Sequence, residues 1–162
     1  MNEEGDIMVS RQERQAVTER RREAMAVLAM ANGSDLMRLW NEAGLPDEAE
    51  TLRGPETGLV TVRGRMGGGG APFNFGEVTV TRATVKLPGG EVGHAYALGR
   101  EKMKVRVAAL IDALRQKPDL EARIEEKILA PLRARRIEAD ATRRAETAAT
   151  KVDFFTMVRG ED

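Results

Sequence analysis

Within residues 60–98 the apolar side chains recur mainly at alternate positions, while on either side they recur at the spacing of helix turns. Val60, Val62 and Met66 alternate with Thr61, Arg63 and Arg65 across Gly64. A glycine run at residues 67–70 and Pro72 lead into a long strand pattern over residues 73–87. Its apolar parity changes between Val78/Val80 and Ala83/Val85/Leu87, which predicts a β-bulge near Thr81 and Arg82. Pro88, Gly89 and Gly90 read as a hairpin turn into a strand at residues 91–98. There Gly93, Ala95 and Ala97 form a small-residue face that a helix can approach closely. Helices, then antiparallel strands, then helices predict an α+β fold. The expected form is an antiparallel sheet of about four strands, flanked by N-terminal and C-terminal helices, with a C-terminal strand. At 162 residues the chain fits one domain, expected over residues 13–162 behind a polar, frayed extension at residues 1–12.

Residues 13–31 read as a helix with Val17, Ala24, Leu28 and Ala31 on one face. Arg20, Arg21 and Arg22, flanked by Glu19 and Glu23, read as a solvated face. Asn32 and Gly33 end that helix, and Ser34 is the expected N-cap of the next. That helix turns Leu36, Leu39, Trp40 and Ala43 inward, so the single tryptophan is expected in the core. Beyond the strands, Met103, Val107, Leu110, Ile111 and Leu114 form a helical stripe stopped by Pro118. Leu120, Ile124 and Ile128 form a second, and Pro131 either kinks that helix or starts a third. Residues 132–150 are rich in arginine and alanine, with Leu132 and Ile137 the only large apolar side chains. Such a segment bridges solvent or lies on a partner.

The residues available exclude several chemistries. There is no cysteine, which removes disulfides, thiolate nucleophiles, thiolate zinc sites and iron–sulfur clusters. The one histidine, His94, alternates with Val92, Tyr96 and Leu98 on a strand, where a structural role is expected. No serine sits in a nucleophile elbow, and no Asp/Glu spacing matches a metal loop or a paired-carboxylate motif. No catalytic residue, no metal ligand and no cofactor bound by this chain is therefore expected. The 26 basic and 26 acidic residues cancel, so whole-molecule charge gives no reason to expect nucleic acid or an anionic membrane. No apolar run reaches the ~20 residues needed to span a bilayer, and the acidic start lacks the order of a secretory signal. A cytoplasmic location is expected.

Charge is uneven along the chain. Residues 51–100 carry 6 basic and 3 acidic groups, against 6 and 11 in residues 1–50. The candidate anion contacts lie there: Arg65, Gly67, Gly68, Gly70, Arg82 and Arg100. Successive N–H groups in the glycine run can form an anion nest, with the arginines adding charge. The run is followed by Ala71 and Pro72 and not by the Gly-Lys-Ser/Thr of a P-loop, so a plain flexible connection stays open as well. Residues 152–158 read as a strand on which Phe154, Thr156 and Val158 face one way and Phe155 and Met157 the other. Both faces are apolar, so either this strand lies centrally under two layers or another protein covers it. Phe154, Phe155, Met157 and Arg159 are accordingly the candidate partner interface.

Several of these stretches carry a family resemblance. Glu56-Thr57-Gly58-Leu59-Val60, Arg65-Met66-Gly67-Gly68 with Gly70, Thr81-Arg82-Ala83, Leu98-Gly99-Arg100, Ala109 to Leu114 and Ala130-Pro131-Leu132 resemble the G subunits of bacterial carbon–phosphorus lyase. The ending, Val152-Asp153-Phe154-Phe155-Thr156-Met157-Val158-Arg159-Gly160, is the most specific match. The resemblance runs in register from about Arg22 to Gly160; the charged N-terminal extension and Gly69 depart from it. It implies a structural or regulatory subunit, without catalytic residues of its own, of a core complex with the H, I and J subunits, which works with an ATP-binding L subunit. That complex forms alpha-D-ribose 1-methylphosphonate 5-triphosphate from ATP and methylphosphonate, releasing adenine. Two rival readings remain: a self-sufficient phosphonate or phosphoryl transferase using the glycine loop and arginines, and a nucleic-acid-binding regulator using the arginine-rich helices.

Overall fold

In the computed structural model, which describes residues 3–66 and 69–150 with side chains from residue 11 onward, the helix–strand–helix order holds. Helices α1 (Glu3–Met30) and α2 (Gly33–Ala43) precede strands β1 (Glu50–Gly64), β2 (Phe73–Lys86) and β3 (Val92–Leu98). Helices α3 (Lys102–Leu114) and α4 (Pro118–Ile124), a π-helical turn (Glu125–Leu129) and α5 (Ala130–Ala149) follow. The fold is α+β, and the described strands form one antiparallel meander in the order β1-β2-β3. The strand expected at residues 152–158 lies outside the described residues. At the other end α1 begins at Glu3, so the segment expected to fray is helical from that residue on.

The core is built around α3. An amphipathic helix buries one stripe, whereas from Lys104 to Leu114 every residue except Arg106 is buried. One side of α3 lies on the sheet face presenting Ala83, Val85, Gly93 and Ala97. Approach is so close at Gly93 that an added Cβ would run into the backbone O of Ala109 and N of Ala113. The small-residue face is thus a helix seat, as its composition indicated. Leu36, Leu39, Trp40 and Ala43 of α2 join the same core, together with Ile124, Ile128 and Leu129. On α1, Ala24, Val27 and Leu28 are buried, but Val17 is exposed, at the edge of a groove between α1 and α3.

Two local expectations change. Asn32, not Ser34, caps α2: its Oδ1 accepts from the Ser34 N–H at 2.9 Å. The bulge expected at Thr81–Arg82 is absent, since β2 pairs with β3 without interruption from Val80 to Lys86. Thr81 itself occupies an inward position in line with Ala83 and Val85, and it is fully buried. Its hydroxyl donates to the Gly99 carbonyl at 2.7 Å and lies 3.0 Å from the Thr57 hydroxyl. A satisfied buried threonine breaks an apolar pattern without breaking the strand. The register shifts fall instead along the β1–β2 ladder, between Thr51 and Arg53, Arg53 and Glu56, and Val62 and Arg63.

Pro131 sits in the first turn of α5, just past the π turn, at the place where a kink or the start of a third helix is expected. Proline lacks an N–H and its ring collides with the carbonyl four residues back, which an α-turn cannot absorb. The backbone widens into the π turn just before it, where the Ala130 N–H reaches the Glu125 carbonyl. Helix then continues to Ala149, but after Leu132 its side chains are almost all exposed.

Candidate functional site

The candidate anion contacts among the described residues, Arg65, Gly70, Arg82 and Arg100, do not form one site. β1 and β2 run on as a two-stranded arm past the end of β3, which pairs only as far as Val80. Arg65 and Gly70 lie at the tip of that arm, both exposed, and Gly67 and Gly68 lie outside the described residues. Arg82 is nine residues along β2 from Phe73, about 30 Å at ~3.3 Å per residue, at the sheet end of the arm. Its Nε donates to Glu56 Oε1 at 2.6 Å, and Arg53 pairs with the same carboxylate at 3.1 Å. Arg100 is exposed just past β3, where Gly99 turns the chain at a φ of 92°. Spacing in sequence hid this separation, because the hairpin between residues 64 and 82 is extended and not folded back.

The arm is also where the apolar surface lies. Two strands alone are marginal in water, and beyond Thr79 this ribbon has no third strand among the described residues. It nevertheless carries Leu59, Val60, Met66, Phe73 and Phe75, with Phe75 75% and Leu59 64% exposed. On β3, His94, Tyr96 and Leu98 alternate with the residues under α3 and are exposed, Leu98 to 68%. Scattered exposed hydrophobics are ordinary, but the arm and the adjoining strand present apolar surface on two sides: Leu59 on the α3 side in line with Thr79 and Thr81, and Val60, Tyr96 and Leu98 on the other in line with Val78 and Val80. Sequence reasoning missed it, since the alternation that signals a half-buried strand does not show whether a core lies beneath it. The candidate interface it did single out, Phe154, Phe155, Met157 and Arg159, lies outside the described residues.

A second set of polar residues was not legible at all. Asp112, buried within α3, accepts from Arg21 through both oxygens, at 2.8 and 2.7 Å, and from the His94 backbone N–H at 2.9 Å. This hydrogen bonding raises the Arg21 pKa, outweighing the burial that lowers it. One carboxylate thereby ties α1, β3 and α3 together. Nearer the start of α3, the buried Lys104 donates to the Ala29 carbonyl at 2.9 Å, satisfying the C-terminal turn of α1. The His94 ring lies 3.1 Å from the hydroxyl of Thr84, its cross-strand partner. Among the described residues no group of His, Cys, Asp and Glu is placed to hold a metal ion, and no helix is long and apolar enough to cross a membrane.

Comparison with known proteins agrees with the resemblance. The family model described as phosphonate metabolism protein PhnG matches residues 19–160. A protein of Rhizobium meliloti (strain 1021), alpha-D-ribose 1-methylphosphonate 5-triphosphate synthase subunit PhnG, is 53% identical over 143 residues. The match covers 88% of this chain and 90% of that protein.

Proposed function

The chain belongs to the phosphonate metabolism protein PhnG family, and from that premise we propose that it is a non-catalytic subunit of the carbon–phosphorus lyase core complex. The complex forms alpha-D-ribose 1-methylphosphonate 5-triphosphate from ATP and methylphosphonate in the cytoplasm, and this chain brings no cofactor of its own. Its partners are the H, I and J subunits, with the ATP-binding L subunit completing the system. The observation that carries this reading is the exposed apolar arm of β1 and β2, which a chain working alone would keep in water at a cost. Leu59, Phe73 and Phe75, with Tyr96 and Leu98 on β3, are assigned to partner contact. Phe154, Phe155, Met157 and Arg159 extend the interface, and Arg65 with Gly67, Gly68 and Gly70 presents the arm's tip to an anion in the assembled complex.

Co-expression with the other core subunits, followed by sizing, tests the assignment. The chain is expected to elute with them, and purified alone it is expected to release no adenine from ATP, with or without methylphosphonate. Adenine release that follows the isolated chain through purification, and is lost in His94→Ala, would overturn the non-catalytic reading.

A further inference from the structure

We propose that the groove between α1 and the C-terminal end of α3 binds a phosphate-class oxyanion, held by the guanidinium groups of Arg20 and Arg115. The cavity there measures about 250 Å³. That is just under the ~300 Å³ at which small-molecule sites begin, a size for one tetrahedral group and its water. Arg115 forms its inner wall, and its side chain is only 9% exposed. A guanidinium carries five N–H donors, and this one is poorly used. Its Nε is buried with no hydrogen-bond partner among the described residues. Its Nη2 reaches Glu121 Oε1 only at 3.4 Å, beyond the usual range of a charged hydrogen bond. Nε itself is closed off from the groove, so a ligand there meets the outer edge of the guanidinium, and an underused cation lining a cavity is suited to a ligand with several acceptor oxygens.

The rest of the lining supports an anion. Asp112 is cancelled by its two bonds from Arg21, so it contributes little repulsion. Gln116 has committed its Nε2 to the carbonyls of Val92 and Asp112, at 2.8 and 3.1 Å. Arg20, exposed on the α1 side of the groove, makes no ion pair among the described residues. The groove thus holds three arginines against two carboxylates, and the second carboxylate, Glu121, has a 47% exposed side chain free to turn outward. The carbonyl end of α3 opposes an anion, so side chains and not backbone N–H groups must supply the attraction. None of these residues was among the sequence-derived anion contacts, and the site stands whether or not the chain serves the complex proposed above.

The test is titration of the full chain with inorganic phosphate, methylphosphonate and ATP, each against sodium chloride of equal ionic strength. The readout is the Arg115 side-chain N–H resonance. Saturable movement with at least one of the three supports the site, and their ranking identifies which form of the group it takes. Arg20→Gln, an exposed change that leaves the fold alone, is expected to weaken binding at least about tenfold, the worth of one charge-assisted contact. Glu121→Gln is expected to tighten it, which a purely structural role for the groove would not produce. The proposal is overturned if none of the anions saturates the resonance, if chloride reproduces the movement, or if Arg20→Gln binds as tightly as the natural chain.

Discussion

Arg21 shows how a residue's neighbours in sequence can mislead about its role. Inside Glu19-Arg20-Arg21-Arg22-Glu23 it reads as one more solvated cation, and Arg20 and Arg22 are exposed as that reading requires. Its partner, Asp112, lies 91 residues away, and no local pattern announces a pair at that distance. The energetics are set by asymmetric burial: the Arg21 side chain is 39% exposed and that of Asp112 is 1% exposed. Removing the arginine strands a carboxylate in the core, which costs up to ~3–5 kcal/mol for a fully buried pair and less where one partner reaches water. Arg21→Met is therefore expected to destabilise the chain by about 3 kcal/mol in urea unfolding. Asp112→Asn keeps an acceptor for the His94 N–H and is expected to cost less, about 1–2 kcal/mol. The opposite order would show that the arginine's packing, and not the stranded charge, holds α1 in place. The raised Arg21 pKa contributes stability that is lost only as pH rises through the folded value, above the ordinary arginine range. It therefore gives no pH dependence near neutrality.

Elements were legible wherever the pattern depended on one face meeting the core. Leu36, Leu39, Trp40 and Ala43 read correctly because α2 buries a single stripe. Gly93, Ala95 and Ala97 read correctly because only small residues admit a helix so close to a strand. The pattern failed where a polar residue took an apolar position, as Thr81 did by bonding Gly99 and Thr57. At Pro131 it marked the joint between helices, but not that the joint is a π turn, whose extra residue per turn leaves no mark in composition. The seat of α3 offers a sharp test of the element-scale account. Gly93→Ala adds one methyl group against helix backbone, which cannot rotate aside as a side chain can. Overpacking of this kind costs ~1–3 kcal/mol, and the value here is expected near the upper end. Gly58→Ala, on β1 with open space around the added group, is the control. A thermal melt showing equal loss for both would mean that α3 shifts freely on the sheet.

At the scale of the whole molecule, parts of the chain extend beyond the core for different reasons. The outer part of α5 is polar and self-compensated: Asp140 pairs with Arg143 at 3.1 Å and lies 3.8 Å from Arg136. Ile137 is its lone large exposed hydrophobic. Such a helix is content in water. The β1–β2 arm is the reverse, a two-stranded ribbon loaded with apolar side chains, and its loading makes sense only if something covers it. Leu59→Ser combined with Phe75→Ser separates these possibilities. Both side chains are largely exposed, so folding should hardly change, with each substitution within about 0.5 kcal/mol. Burying a large apolar side chain at an interface is worth ~1.5–3 kcal/mol, so the pair should weaken assembly with the other core subunits by at least about thirtyfold. Ile137→Ser on α5 is expected to leave assembly unchanged. The measurement is sizing of the co-expressed complex beside a thermal melt of each purified variant. Normal assembly of the arm variant would assign the contact to residues 152–160 instead, and a lost melt would make the arm part of the chain's own core.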